Sequence, residues 1–182
     1  DGLRRHAPLP APILTPTTKA PQGEHDELTS RAEILARGTL SEAVYAECER
    51  ITGALFDAGT RFAASRGLIL VDTKYELGID DAGRVVVIDE IHTPDSSRYW
   101  YRDAYERALA AGRDPEALDK EYVRRWLGER GYRGEGPPPE LPVDVRCEAA
   151  RRYIEAFEQL TGRAFEPDPE PPLPRIRRKL GV

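Results

Sequence analysis

Apolar and polar positions along the chain fall into a few regular patterns, the clearest between Gly67 and Tyr99. Leu68 to Val71 is an apolar run. Beyond it polar and apolar residues alternate through Asp72, Lys74 and Glu76, the period of a strand buried on one face. Asp80-Asp81-Ala82-Gly83 supplies turn chemistry, and Val85 to Ile88 with Ile91 forms a second β-branched run. The simplest arrangement is an antiparallel hairpin closed near residues 81 and 82. That register sets Glu76 opposite Val87 and Lys74 opposite Asp89, and the strand period then puts Asp72, Lys74, Glu76 and Asp89 on one face.

Helical periodicity accounts for most of the rest. Ser30-Arg31-Ala32-Glu33 and Thr39-Leu40-Ser41-Glu42 both read as capping boxes. The second opens a helix predicted from about residue 40 to 66, with Val44, Cys48, Ile51, Leu55, Ala58 and Phe62 as one apolar stripe facing the core. Arg102 to Ala111 is predicted helical with Gly112 as its stop. Asp114-Pro115 begins another helix, carrying Tyr122, Val123, Trp126 and Leu127 before Gly131. Gly134 to Pro142 is a loop. Val143 to Leu160 forms the last long helix, with Val145, Ala149, Tyr153, Phe157 and Leu160 on its stripe. Residues 7 to 21 are proline-rich and extended, and the proline-rich tail beyond Gly162, with Arg175, Arg177, Arg178 and Lys179, is expected to be extended or disordered. The fold class is therefore α+β, an antiparallel hairpin or sheet core flanked by helices. The organisation is a Pro-rich leading segment over 1–29, a main domain over 30–162 and a Pro-rich basic tail over 163–182.

Composition narrows the class without choosing within it. A chain of 182 residues suffices for one substantial core and makes two domains unnecessary. Charged residues make up 32%, and no apolar stretch approaches membrane-spanning length or forms a secretory signal, so a cytoplasmic protein is expected. Cys48 and Cys147 stand far apart without a partner motif and read as reduced, packed thiols. A net charge of −5 disfavours nonspecific nucleic-acid binding.

The candidate chemistry sits on the hairpin. Two carboxylates beside a lysine on one sheet face suit a hard cation with phosphate oxygens, while a cross-strand salt bridge on a solvated face accounts for the same residues. Thr93-Pro94-Asp95-Ser96-Ser97-Arg98 follows directly, and it reads either as an anion-binding corner or as an ordinary capped turn. Lys120 and Arg124 are four apart and share a helix face, solvated or anion-binding. His25 by itself reads as a surface or capping histidine.

Asp72-Thr73-Lys74-Tyr75-Glu76-Leu77-Gly78, Asp89-Glu90 and Thr93 to Trp100 together resemble the core signature of the SAICAR synthase family, the phosphoribosylaminoimidazole-succinocarboxamide synthases. The resemblance extends to Thr15-Pro16-Thr17-Thr18-Lys19-Ala20, His25-Asp26-Glu27, Asp119-Lys120 with Arg124, and Tyr153-Ile154-Glu155-Ala156 with Leu160-Thr161-Gly162. It covers roughly residues 2 to 162. Several separated motifs in the right order make it specific.

The resemblance implies an ATP-dependent ligase of purine biosynthesis. In that chemistry the carboxylate of carboxyaminoimidazole ribonucleotide is activated as an acyl phosphate and attacked by the amine of L-aspartate, with ADP and phosphate released. It implies ATP and Mg2+ as cofactors, with Glu76 and Asp89 holding the metal and Lys74 orienting or neutralising the substrate carboxylate. Asp95, Ser96 and Arg98 would grip the ribose phosphate end, and Lys19, His25, Asp26, Lys120 and Arg124 would line the substrate pocket. Asp1-Gly2-Leu3 matches an interior point of the family pattern, and the chain has no methionine. The chain is accordingly expected to be a C-terminal portion, partnered by an N-terminal lobe that carries a glycine-containing nucleotide loop, a lysine and the adenine pocket. The alternatives are a catalytically incomplete nucleotide-binding module, or a paralogous ligase acting on a related nucleotide in specialised metabolism. Departures bear on the second: Tyr75 and Leu77 replace commoner phenylalanines and are expected to point away from Glu76, and His92, where relatives usually have an aliphatic residue, is expected beside the substrate corner.

Overall fold

The structure is a computed structural model that describes residues 2, 4–20, 26–115, 117–118 and 120–181. Ser30 caps α1 (Arg31–Ala36): its hydroxyl accepts from the Glu33 N–H while the Glu33 carboxylate takes the Ser30 N–H, the predicted capping box. The next helix, α2 (Glu42–Ser65), is capped by Ser41 alone, whose hydroxyl accepts from the Val44 N–H. Thr39 is outside it, so the second predicted box does not form.

Four short strands follow. In β1 (Leu68–Thr73), Leu68 and Leu70 are buried. Next come β2 (Leu77–Ile79), β3 (Val85–Val87) and β4 (Ser97–Tyr101). They make two antiparallel pairs, β1 with β4 and β2 with β3. The β1–β4 ladder runs Leu68↔Tyr101 to Thr73↔Ser97 and slips between Leu70 and Asp72. That irregularity shifts the alternation, so Asp72 comes out to solvent opposite Arg98 where strict period two would continue the buried row.

The β2–β3 hairpin is closed one residue differently from the predicted register. Leu77 pairs with Val87 and Ile79 with Val85, and the Ile88 N–H bonds the Glu76 carbonyl. The cause is Asp80, whose carboxylate accepts from the Ala82 and Arg84 N–H groups, with Gly83 at φ 76° completing a three-residue loop centred on Ala82. A one-residue slip exchanges faces. Asp89 therefore does not face Glu76 through the ladder; it lies in a bend beyond β3.

Helices α3 (Arg102–Ala110), α4 (Glu121–Gly128), α5 (Val143–Thr161) and α6 (Pro172–Leu180) complete the chain. Pro115 does not open α4, because the backbone there is used otherwise: Ala117 bridges to Trp100, and the Leu118 N–H bonds the Tyr99 carbonyl at 3.0 Å. The tail, expected to be extended or disordered, carries α6, with prolines in its first turn, basic residues in its last and Gly181 as a left-handed cap.

The core lies where α2 crosses β1 and α5 closes over it. It comprises Ala63, Leu68, Leu70, Tyr99, Leu118 and Ala156, with Phe56, Tyr101 and Leu160 packed against it. Burying each large member contributes roughly 1.5–3 kcal/mol. The buried side of α2 is Tyr45, Gly59 and Ala63, one position on from the predicted stripe, and Phe62 is half exposed beneath the Arg66 guanidinium. Small residues face the strand because the helix approaches it closely. On α5 the buried residues are Val145 and Ala156, while Tyr153 and Phe157 of the predicted stripe are exposed. The leading segment is not free: Thr17 bridges to Leu28, and the Tyr105 hydroxyl donates to the His6 carbonyl at 2.7 Å.

Candidate functional site

The open end of the β1–β4 pair carries a cleft of about 480 Å³. The ladder reaches its edge, since the Lys74 N–H donates to the Ser96 carbonyl at 2.9 Å and the buried Ser97 hydroxyl donates to Thr73 Oγ1 at 2.8 Å. Between β3 and β4 the chain makes a turn closed by its own hydroxyls. Thr93 Oγ1 donates to the Glu90 carboxylate at 2.7 Å and accepts from the Ser96 N–H, and the Ser97 N–H bonds the Thr93 carbonyl. The segment is thus a capped turn, and the same turn presents Pro94, Asp95, Ser96 and Arg98 to the cleft.

Lys74, Asp89, Asp95, Ser96, Arg98, Lys120 and Arg124 all line this cleft. The cations are tethered loosely by acids. Arg98 reaches Asp72 at 3.4 Å and Glu121 at 3.6 Å, Lys120 reaches Asp95 at 3.5 Å, and Arg124 bonds Glu121. Exposed pairs of this kind contribute little to stability and can exchange a carboxylate for another anion. Arg98 projects from β4 between two carboxylates, and its planar fork suits phosphate or carboxylate.

Glu76, Lys19 and Asp26 are not in the cleft wall; they form an ion cluster behind Lys74. Glu76 takes Lys19 Nζ at 2.5 Å on one oxygen and Lys74 Nζ at 2.8 Å on the other, and Lys74 also approaches Asp26 at 3.6 Å. Hydrogen bonds first from Lys19 and then from Lys74 hold the Glu76 carboxyl down at about 2. The same partnership raises Lys74, which stays an ammonium. The Ala20 N–H, bonded at 2.9 Å, chiefly keeps Asp26 ionised. His25 and Asp119 lie outside the described residues.

Thr15, Asp72, Glu90 and Glu121 also line the cleft and were not among the candidates. Thr15 and Glu90 stood inside quoted motifs, but Glu121 offered no signal beyond its place next to Lys120. His92, expected beside the substrate corner, immediately precedes the cleft turn, but its ring packs against Tyr75 and Gly59 and does not line the cleft.

The donor set bears on a metal. Among the described residues no three His, Cys, Asp or Glu side chains converge as a ready cation cage. Mg2+ seldom uses one: it takes one or two carboxylates and completes its shell with phosphate and water. Asp89 fits that role, because its carboxylate lines the cleft and makes no hydrogen bond or ion pair among the described residues. Glu76 already holds an ammonium on each oxygen.

A family model described as SAICAR synthetase matches residues 1–139. The phosphoribosylaminoimidazole-succinocarboxamide synthase of Cytophaga hutchinsonii is 48% identical over 99% of this chain, and that of Flavobacterium psychrophilum 47% identical over 91%. The chain spans 58% and 53% of those two proteins. Among solved structures, a SAICAR synthase from Saccharomyces cerevisiae complexed with SAICAR superposes with a TM-score of 0.69 at 32% identity, covering 87% of this chain and 49% of that one. A SAICAR synthetase in complex with ADP gives 0.63 at 26% identity, covering 87% and 54%.

Proposed function

The chain belongs to the SAICAR synthetase family, and from that premise we propose that it supplies the ribonucleotide-binding part of an ATP-dependent ligase joining carboxyaminoimidazole ribonucleotide to L-aspartate. The observation that carries this is the convergence of Lys74, Asp89, Ser96, Arg98, Lys120 and Arg124 on one cleft from four separate stretches of sequence. The relatives' names and the SAICAR and ADP of the two solved structures support the substrate class.

Each residue has a task set by its chemistry. Arg98 and Ser96 receive the ribonucleotide's phosphate, Asp95 its ribose hydroxyls, and Lys120 and Arg124 add positive charge at the rim. Lys74, kept cationic by Glu76, neutralises the substrate carboxylate and orients it for attack by the amine. Lys19 and Asp26, grouped behind Lys74, hold that ammonium in place through Glu76 and by direct approach. Asp89, with Glu76, would hold Mg2+, which with the nucleotide supplies charge neutralisation for phosphoryl transfer. The adenine contacts belong to a further lobe, on the same polypeptide or a separate one.

The test is turnover of a protein of full family length with the ribonucleotide, aspartate and Mg-ATP. Asp89→Asn is expected to lower kcat on the order of a hundredfold with the fold intact by circular dichroism. Wild-type turnover by that variant at ordinary Mg2+ rejects the assignment.

A further inference from the structure

His92 has a left-handed backbone, φ 59°, immediately before the cleft turn. Residues other than glycine keep that conformation only where their surroundings hold them. Three contacts hold this one. Its Nε2 shares a 2.6 Å hydrogen bond with the Tyr75 hydroxyl, and its carbonyl accepts the Tyr99 hydroxyl at 2.7 Å. Its ring also lies so close to Gly59 of α2 that a Cβ there would stand 2.5 Å from both Cε1 and Nε2. Burial keeps the ring neutral and pushes the Tyr75 hydroxyl up to about 12, so both partners of the bond are uncharged at neutral pH. None of His92, Tyr75 and Gly59 lines the cleft. The direction in which the chain leaves His92 nevertheless sets where the next six residues, ending in Arg98, stand.

We infer that His92, clamped between Tyr75 and Gly59, is a positioning residue that aims the Thr93–Arg98 turn at the anionic end of the substrate, an inference that rests on the function proposed above. The clamp joins a directed hydrogen bond to a close ring contact, and it explains a glycine in the middle of α2 at a place where helix propensity disfavours one. It acts on the ribonucleotide side of the site alone.

Tyr75→Phe removes one hydroxyl and keeps the ring, and it is the clean test in the full-length protein. Hydrogen exchange at the Ser96 and Ser97 amides is expected to quicken about threefold to tenfold, with α5 unchanged. The KM for the ribonucleotide should rise by a similar factor while that for ATP stays put. Gly59→Ala displaces the same ring, so combining it with Tyr75→Phe should add less than the two effects summed. Unchanged exchange in Tyr75→Phe overturns the inference, as does a loosened turn with an unchanged ribonucleotide KM, or an ATP KM that rises in step. If the wild-type protein does not use the ribonucleotide, the proposed function falls, and the exchange measurement alone decides whether the clamp holds the turn.

Discussion

Glu76 carries an ammonium on each of its oxygens, and this makes its ionisation a property of the fold. Its pKa is depressed from the usual 4.5 to about 2, so the pairing contributes stability that is complete above 4.5 and is lost as pH falls toward 2. Urea midpoints measured across that window should fall more steeply for the wild type than for Glu76→Gln. Added salt should narrow the difference, because Lys19 and Lys74 are well exposed. Arg98 answers a different question. Lysine there keeps the charge and loses the fork, so Arg98→Lys is expected to weaken the ribonucleotide by roughly 1.5–3 kcal/mol, on the order of tenfold to a hundredfold, with ATP affinity little changed. Separate titrations of the two ligands read it directly, and an equal loss for ATP would move Arg98 out of the ribonucleotide pocket. Both residues stood out in the sequence as members of a spaced motif. The pairings of Lys19 with Glu76 and of Glu121 with Arg98 did not, since they span separations that only folding closes.

At the scale of elements, the stretch between α3 and α4 decides more than its irregular backbone promises. Leu118 is 2% exposed, its N–H extends the edge of β4, and two residues later Lys120 lines the cleft. Leu118→Ala should cost about 2–5 kcal/mol in denaturant unfolding, with a cavity left in the core. A cost below 1 kcal/mol would mean that the site collapses freely. Pro115 looked like the first residue of a helix because proline is favoured there, but the bridge from Ala117 to Trp100 ties that stretch to β4, and α4 begins only at Glu121. The face of α2 was misjudged for a related reason. Counting apolar size along the helix selects Phe62, whereas close approach to β1 selects its small neighbours Gly59 and Ala63.

For the whole molecule, the chain spans 58% of the Cytophaga hutchinsonii relative, and in the proposed function the cleft supplies only the ribonucleotide side of the site. Phosphoryl transfer needs donors positioned around the nucleotide. The 182 residues expressed alone are therefore expected to form no product from the ribonucleotide, aspartate and Mg-ATP, although they should still bind the ribonucleotide. Robust ATP-dependent product would place the nucleotide site within this chain; lack of ribonucleotide binding would favour a different ligand for the cleft.

Local chemistry was enough to determine several of the elements and the signature. Ser30 with Glu33 starts a helix, Gly162 ends one, the β-branched runs make strands, and the spaced motifs from Asp72 to Trp100 carry the family. Each of these depends on neighbours a few residues away, which a linear chain already displays. Register, facing and convergence were decided only in three dimensions. The Asp80 turn moved the hairpin by one residue and took Asp89 off the face of Glu76, and a bend then brought Asp89 to the cleft with Lys74. His92 turned inward because Gly59, far away in sequence, leaves room for its ring. Such outcomes depend on the shape of packed surfaces and on which polar groups are left to satisfy one another, and neither exists before the chain is folded.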